Sequence, residues 1–543
     1  MPTLKASKLG IAKIKQARNE LGWGWNIHED DTCFIEASRV LEPDRDWLPG
    51  GPYANGVSEG TWKRFLAGRQ PISAAPFKAY CTVLGLNWED IVDRHGSRLT
   101  DSRTDWGEAI DTSTFFGRAA ELMQLEDWVV LEKCRLVAIL GMGGIGKTAL
   151  AVRFAEQSQN QFEYLIWRSL RNAPPVQDIL ADLIEFLSDG REINLPKNVD
   201  AQISLLIEHL RERRCLLLLD DFETILRSGE LAGQYREGYQ VYGQLIKRVG
   251  EERHQSCLVL ATREKPIEIS ALAGATLPVR ELKLRGLGQE DAKKILEKIG
   301  FSNLNHGWEE LIQIYRGNPS ALKIIANTIR EVFNGDISQF IEQSTLVIGD
   351  TITNLLAEQL ERLSVLEMEI VYWLAIENQP ISLSELKADM RFSVSSSSQL
   401  ISALTSLKRR SLLDRETIAE ESEAIFTLQP VVRKYVINQL VEQVCQDIFA
   451  VIETYSLSKL GLLRSHNLVK EEEEVDEKER QIRLILTPIR ERLYLRLKNV
   501  NSLEKRLNEV LSMLQDKSLQ TLGYAQVNIL NLITLTEDRL QQL

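Results

Sequence analysis

The sequence predicts a multidomain α/β plus α chain: a parallel-sheet phosphate-loop core, helical units after it and a small all-α unit before it. Three observations carry that expectation. Four apolar runs, 135–140 (RLVAIL), 164–169 (YLIWRS), 215–220 (CLLLLD) and 257–262 (CLVLAT), alternate with helical patterns. Strands without polar alternation are buried on both faces, the situation of a parallel sheet covered by helices. A glycine-rich turn at 141–148 (GMGGIGKT) joins the first run to a helical pattern. From Gln289 onward the apolar spacing is mostly helical, with one strand-like stretch at 424–430 (AIFTLQP).

At 543 residues the chain exceeds a single hydrophobic core and implies roughly three to five domains. Its 44% apolar and 26% charged residues are ordinary for globular protein. A net charge of −12 argues against wholesale binding to nucleic acid or anionic membrane, while leaving room for a local basic patch. The six cysteines form no CxxC pair and read as buried thiols in a reducing compartment. No apolar run approaches the roughly 18 residues a membrane span needs. The start MPTLKASKLGIAKIKQ is broken by lysines and lacks a signal-peptide core. The expectation is a cytoplasmic protein with no membrane partner.

Along the chain, residues 1–95 read as a small helical domain. Ile11, Ile14, Ala17 and Leu21 share one helical face, and 42–56 (EPDRDWLPGGPYANG) reads as loop. Short helices follow, with Ser58 as a cap and Gly68 and Gly85 as stops. The polar stretch 96–114 reads as a linker. The phosphate-loop domain is expected over 115–285, a small helical domain over 286–349, a further unit over 350–440 and charged helices over 441–543. The run 470–480 (KEEEEVDEKER) is expected to be a solvated helix face or linker.

The chemistry concentrates at the glycine-rich turn. Gly141, four residues, then Gly146, Lys147 and Thr148 fit the phosphate-loop pattern, directly after a strand and before a helix. Backbone N–H groups of Gly141, Met142, Gly143, Gly144, Ile145 and Gly146 can then face phosphate oxygens. The helix start through Ala149 adds its positive dipole end. Lys147 would meet the β and γ phosphates, and the Thr148 hydroxyl would ligate Mg²⁺. Roughly 70 residues later Asp220 ends a strand, where it would hold Mg²⁺ through water, and Asp221 could orient an attacking water. Thr262-Arg263 ends the next strand and places a cation that can read a γ-phosphate. Gly317 and Pro319 open a helix beyond the sheet (YRGNPSALKIIA, 315–326), a position where proline is sterically ordinary.

Taken in series, FFGRAAEL (115–122), GMGGIGKT, LLLLDD, ATRE and GNPSAL resemble the NB-ARC family in order and spacing. These are signal-transduction ATPases with numerous domains, relatives of plant disease-resistance receptors and apoptosome proteins. The resemblance covers 115–440, about 60% of the chain. It implies that Phe116, Gly117 and Arg118 lie by adenine and ribose, that Arg263 senses phosphate, and that Pro319 packs on the adenine. It implies a winged-helix lid at 350–440 and a catalytic set of Lys147, Asp220, Asp221 and Arg263. The implied ligands are ADP or ATP with Mg²⁺. The implied function is a switch with slow hydrolysis, opening, self-association in the ATP state and an unidentified protein partner or trigger; bacterial defence enters by analogy alone. Two alternatives remain: a nucleotide-gated transcription regulator, and a AAA+-like motor. Such motors generally carry Asp-Glu at the strand tip, whereas this chain has Asp220-Asp221, its nearest glutamate being Glu223.

The N-terminal unit resembles a lambda-repressor-like helix-turn-helix, with Lys63, Arg64 and Arg69 as phosphate contacts if DNA is bound. Residues 1–100 hold 13 Lys and Arg against 12 Asp and Glu, so no basic stripe emerges, and a protein-interaction role is favoured. Trp62 and Phe65 read as core. The C-terminal helices resemble the segment that leads into sensor repeats in bacterial members. One departure from the family concerns the lid, where a Met-His-Asp motif normally sets a histidine on the ADP β-phosphate. The matching stretch here, FTLQPVVRKY, offers Gln429-Pro430. A neutral donor contributes about 1 kcal/mol where a charged one contributes about 2–3 kcal/mol. Gln429→His is therefore expected to slow ADP release, read as the off-rate of a fluorescent ADP analogue; an unchanged rate removes this contact from the account.

Overall fold

The computed structural model describes residues 3–21, 32–68, 72–92, 103–190, 195–301, 307–343, 350–377, 379–392, 396–416, 424–470, 475–497, 500–515, 517–518 and 522–542. They fall into two compact units, 1–102 and 103–543.

In the first unit, helices Lys8–Glu20, Thr32–Leu41, Glu59–Ala67 and Ala74–Val83 surround an aromatic core. Thr3–Leu4 pairs antiparallel with Ile72–Ser73. The Ser58 side chain accepts from the Thr61 N–H, capping one helix, and Gly68 ends it at φ +59°. Gly85 ends the turn after Ala74–Val83 at φ +67°. Trp62 and Phe65 are buried and meet at 5.4 Å between ring centroids, and Phe65 meets Phe77 edge-on at 5.3 Å. Both are core side chains, as the sequence suggested. Of the three cations considered for DNA contact, Lys63 pairs with Glu59 one turn earlier at 2.5 Å, and Arg64 Nε donates to the Gly60 carbonyl at 3.1 Å. Arg69 lies outside the described residues.

The second unit is built on a six-stranded, wholly parallel sheet: β1 (Arg103–Asp105), β2 (Leu136–Leu140), β3 (Tyr164–Ser169), β4 (Cys215–Asp220), β5 (Cys257–Thr262) and β6 (Val279–Lys283). Their spatial order is β1-β3-β4-β5-β2-β6. The four apolar runs form the four central strands. Leu136, Ala138 and Leu140 face a cluster shared with helices α3 (Val176–Leu187), α4 (Val199–Glu212) and α5 (Val241–Glu251). Val137 and Ile139 face the other cluster, shared with α1 (Ala119–Glu126) and α2 (Lys147–Ser158). Alternate residues thus enter opposite cores, which is why the runs show no polar alternation.

The expected linker at 96–114 needs correction. Residues 103–105 form β1, in register with Tyr164, Leu165 and Ile166 of β3. An edge strand of sequence Arg-Thr-Asp buries little, so it leaves no apolar signal. The other edge, β6, carries two charged exposed residues, Glu281 and Lys283, and a buried arginine, Arg280, among its five, a mixed pattern easily read as loop.

Beyond the sheet come α6 (Gln289–Ile299) and α7 (Pro319–Val332), then α8 (Asp350–Leu360), α9 (Val365–Glu377) and α10 (Ser397–Arg409). Strands β7 (Ile381–Ser382), β8 (Leu413–Glu416) and β9 (Ile425–Leu428) form a three-stranded antiparallel sheet ordered β8-β9-β7. The strand-like stretch in the sequence is β9. Helix α11 (Pro430–Thr454) follows, then α12 (Val475–Gln481), α13 (Thr487–Leu497), α14 (Val500–Leu514) and α15 (Ala525–Gln542). One apolar cluster runs through all of these except α12 and also takes in Met142 of the phosphate loop. Buried Asn528 ties the C-terminal helices together: its Nδ2 donates to the Leu463 and His466 carbonyls at 2.8 and 2.7 Å. Of the charged run at 470–480, residues 471–474 lie outside the described residues, and α12 carries Asp476, Glu479 and Arg480 exposed, as expected of a solvated helix face. Lys470 pairs with Glu377 and with Asp389, the latter at 2.8 Å, and Glu477 is only 9% exposed. All six cysteines are buried free thiols. Among the described residues no helix is long and apolar enough to cross a membrane.

Two glycines let the segment after β6 cross the start of α7 at backbone contact. A Cβ on Gly286 would overlap the Arg316 carbonyl, and one on Gly317, at φ +63°, would overlap that of Leu287. The Leu287 N–H donates to the Gly317 carbonyl at 2.8 Å across this crossing. Gly317→Ala is expected to cost on the order of 2–3 kcal/mol, combining left-handed backbone strain with the steric overlap, read as a lower urea midpoint.

Candidate nucleotide site

The phosphate loop spans the turn between β2 and α2. Gly144 and Gly146 sit at φ +74° and +97°, conformations that L side chains resist. Lys147 is buried; its Nζ donates to the carbonyls of Gly141 and Met142, both at 3.0 Å. Burial draws its pKa down, opposed first by the Glu223 carboxylate. Asp220 ends β4 beside it. Burial pushes this carboxyl up to about 6, opposed by a hydrogen bond from the Thr148 hydroxyl. Thr148 and Asp220, the two expected Mg²⁺ ligands, are therefore neighbours. Among the described residues no group of three His, Cys, Asp or Glu side chains forms a metal cage. Mg²⁺ in a phosphate-loop site takes most of its ligands from phosphate and water, so two adjacent protein oxygens fit it.

Asp221 behaves differently from its neighbour. It adopts φ +54°, its N–H donates to Asp220 Oδ1 at 2.9 Å, and its carboxylate accepts from the Ser169 hydroxyl at 3.2 Å. The carboxylate that acts most strongly on Lys147 and also pairs with Arg263 is Glu223, two residues on and 5% exposed. Arg263 Nε pairs with Glu223 Oε1 at 3.1 Å, and the Arg263 N–H donates to Glu223 Oε2 at 3.0 Å. The Arg263 guanidinium carbon lies 3.5 Å from where a Cβ on Gly143 would stand, so the cation does sit over the phosphate loop. Sequence reasoning noted Glu223 only as the nearest glutamate. Its signal, a carboxylate in the first turn after a strand tip, is legible only when Arg263 is known to return to it.

A cavity of about 120 Å³ brings together Phe116, Arg118, Ile145, Gly146, Ala149 and Pro319. Gly117, at φ +68°, admits Asp291 of α6; a Cβ there would lie 2.5 Å from Asp291 Oδ2. Arg118 is turned to the loop itself, donating to the Ile145 carbonyl at 3.0 Å while pairing with Glu121 at 2.7 Å. Asn318, which sequence reasoning passed over, joins two elements. Its Oδ1 caps α7 by accepting from Ser320 and Ala321 N–H groups, and its Nδ2 donates to the Gly143 carbonyl at 3.1 Å. Asn-Pro at a helix start is a capping signal, but the loop contact has no local trace. Gln429 is not among the residues lining this cavity. It precedes α11 and lines a separate space of about 530 Å³ with Met142, Ile145 and Asn318.

Residues 118–306 match the NB-ARC domain. A relative from Nostoc sp. (strain PCC 7120 / SAG 25.82 / UTEX 2576), an uncharacterized WD repeat-containing protein, is 43% identical over 584 aligned residues, covering 98% of this chain and 45% of that protein. Disease resistance protein RRS1 of Arabidopsis thaliana is 24% identical over 267 residues, 45% of this chain and 18% of that protein. The chain thus spans less than half the length of these relatives. Among solved structures, a Signal Transduction ATPase with Numerous Domains (STAND) protein with a tetratricopeptide repeat sensor from Pyrococcus horikoshii is 15% identical, with TM-score 0.34, over 80% of this chain and 66% of that one.

The parallel-sheet core is fastened to the later helices by charge. Glu264, adjacent to Arg263 and 2% exposed, accepts from Arg410 NH1 at 2.7 Å, Arg362 NH2 at 3.0 Å and the Gly233 N–H at 2.8 Å. Arg410, equally buried, also pairs with the fully buried Glu367 at 3.2 Å. One helical turn before Arg362, exposed Glu358 of α8 pairs with Arg263 at 3.2 Å. Removing one partner of a buried, balanced network leaves an uncompensated charge, at about 3–5 kcal/mol. Glu264→Gln should therefore lose stability of that order in urea denaturation, whereas Glu358→Gln should lose less than about 1 kcal/mol.

Proposed function

We propose that the chain is an ADP/ATP-operated switch in which the later helical unit, residues 350–440, acts as a winged-helix lid. One observation carries this reading: Arg263 stands over the phosphate loop while shared between Glu223 of the NB-ARC domain and Glu358 of the lid. A γ-phosphate bound at the loop would compete with Glu358 for the Arg263 guanidinium. ADP, lacking that phosphate, would leave the Glu358 pair intact. The two nucleotides would then differ in how firmly they hold the lid, which is what a population shift requires. Slow hydrolysis, with Lys147, Asp220, Asp221 and Arg263 around the phosphates and Mg²⁺ at Thr148 and Asp220, would restore the closed state.

Separation of the lid would uncover the surfaces around Glu264 and Arg410, and self-association in the ATP state follows as part of the same reading. A sensor on a repeat-built segment or on another chain would deliver the signal through the C-terminal helices; the Nostoc relative's name records WD repeats. ADP is expected to co-purify at near one per chain. Glu358→Ala should tighten Mg²⁺-ATP binding by roughly two- to five-fold and leave ADP affinity unchanged, since an exposed ion pair contributes about 0.2–1 kcal/mol. Equal effects on both nucleotides in a calorimetric titration would remove Glu358 from the switch, and an absence of nucleotide binding would remove the switch itself.

A further inference from the structure

Arg263 is held at two points by one carboxylate. Its Nε lies 3.1 Å from Glu223 Oε1, and its backbone N–H donates to Glu223 Oε2 at 3.0 Å. Glu223 is 5% exposed and sits in the short helical turn Phe222–Ile225 that follows β4. That turn is itself fixed. The Thr224 hydroxyl donates to the Leu170 carbonyl at 2.5 Å, and the Leu226 N–H donates to the Glu223 carbonyl at 3.1 Å. On the other side, the buried Thr262 hydroxyl donates to the Glu264 carbonyl at 2.8 Å and closes the backbone around Arg263. Holding Nε and the backbone N–H leaves the terminal guanidinium nitrogens for other partners. One of them, Nη1, pairs with exposed Glu358 at 3.2 Å. The two glutamates therefore engage different nitrogens of one guanidinium. Asp221, by contrast, turns its carboxylate to the Ser169 hydroxyl on β3.

We propose that Glu223 is a positioning residue for nucleotide discrimination: it anchors Arg263 at Nε so that the terminal nitrogens face the place of a γ-phosphate. This rests on the switch reading above and gives the two glutamates opposite tasks, Glu223 presenting the guanidinium and Glu358 competing for it. Arginine carries much rotamer freedom, and a guanidinium already held loses less of it on meeting a phosphate than a free one does. A carboxylate acting only as a charge would do the reverse. It would repel phosphate, and the more highly charged ATP more than ADP. Anchor and bare charge thus predict opposite signs when the charge is removed.

The test is the ratio of Mg²⁺-ATP to Mg²⁺-ADP affinity, measured by calorimetry on the full chain and its variants. Glu223→Gln keeps the shape of the side chain and an acceptor for the Arg263 N–H, but removes the charge that holds Nε. It should lower the ratio by roughly five-fold or more, the low end of usual couplings between sites, and opposite in sign to Glu358→Ala. Arg263→Gln should lower the ratio at least as far. Adding Glu223→Gln to Arg263→Gln should then change it by less than about two-fold, because the anchor has nothing left to hold. Glu223→Asp keeps the charge but draws it back from Nε; it should lower the ratio too, and it supplies the reading if the Gln variant does not fold. A ratio that rises or stays the same in the Glu223 variants would overturn the proposal, as would an effect of Glu223→Gln that persists in full beside Arg263→Gln. Either result leaves nucleotide binding, and with it the switch, in place. A wild-type chain that binds neither nucleotide would overturn the switch and this proposal together.

Discussion

Glu264 is a carboxylate held almost entirely out of water, and the second unit is arranged around keeping it neutralised. Arg410 and Arg362 reach it from the later helices, and the Gly233 N–H reaches it from the segment between β4 and α5. Its chain neighbour Arg263 is fixed by the same stretch of backbone over the phosphate loop. A buried ionic group is poorly compensated by anything except its own partners. The contact therefore behaves as made or unmade rather than as gradually loosened, because partial withdrawal of Arg410 leaves charge in a low-dielectric interior. Two adjacent residues thus join the place where phosphate would bind to the element that would respond.

The second tie to the loop is neutral. Asn318 caps α7 with its oxygen and holds the Gly143 carbonyl with its nitrogen, so the helix start and the phosphate loop share one side chain. Arg118 performs a comparable task from the other side, through the Ile145 carbonyl. Both groups occupy carbonyls of the loop rather than its N–H groups, which suits a loop whose amides receive phosphate. The proposed switch needs this rigidity, since a nucleotide can bias a lid only if the loop that grips it does not yield first.

Much of the site was legible in the sequence because its motifs are local. Gly141 to Thr148 is contiguous, Asp220 and Arg263 end apolar runs, and Pro319 follows a capping asparagine. The pieces that were not legible depend on chain segments far apart. Glu223 lies 40 residues from Arg263, and Glu358 lies 95 residues from it. Edge strands escaped for a related reason: Arg103–Asp105 buries too little apolar surface to leave a pattern. In the charged run at 470–480 a charge count cannot tell which carboxylate turns inward, and Glu477 does.

The sequence by itself determined the parallel core, the phosphate loop and the succession of helical units, since strand burial, glycine geometry and helix capping are written in neighbouring residues. Only the tertiary structure decided which charges meet. Coulombic pairing acts through space, and burial sets its strength, so the partners of Arg263 and Glu264 and the inward turn of Glu477 could be read only once the helices had been packed against the sheet.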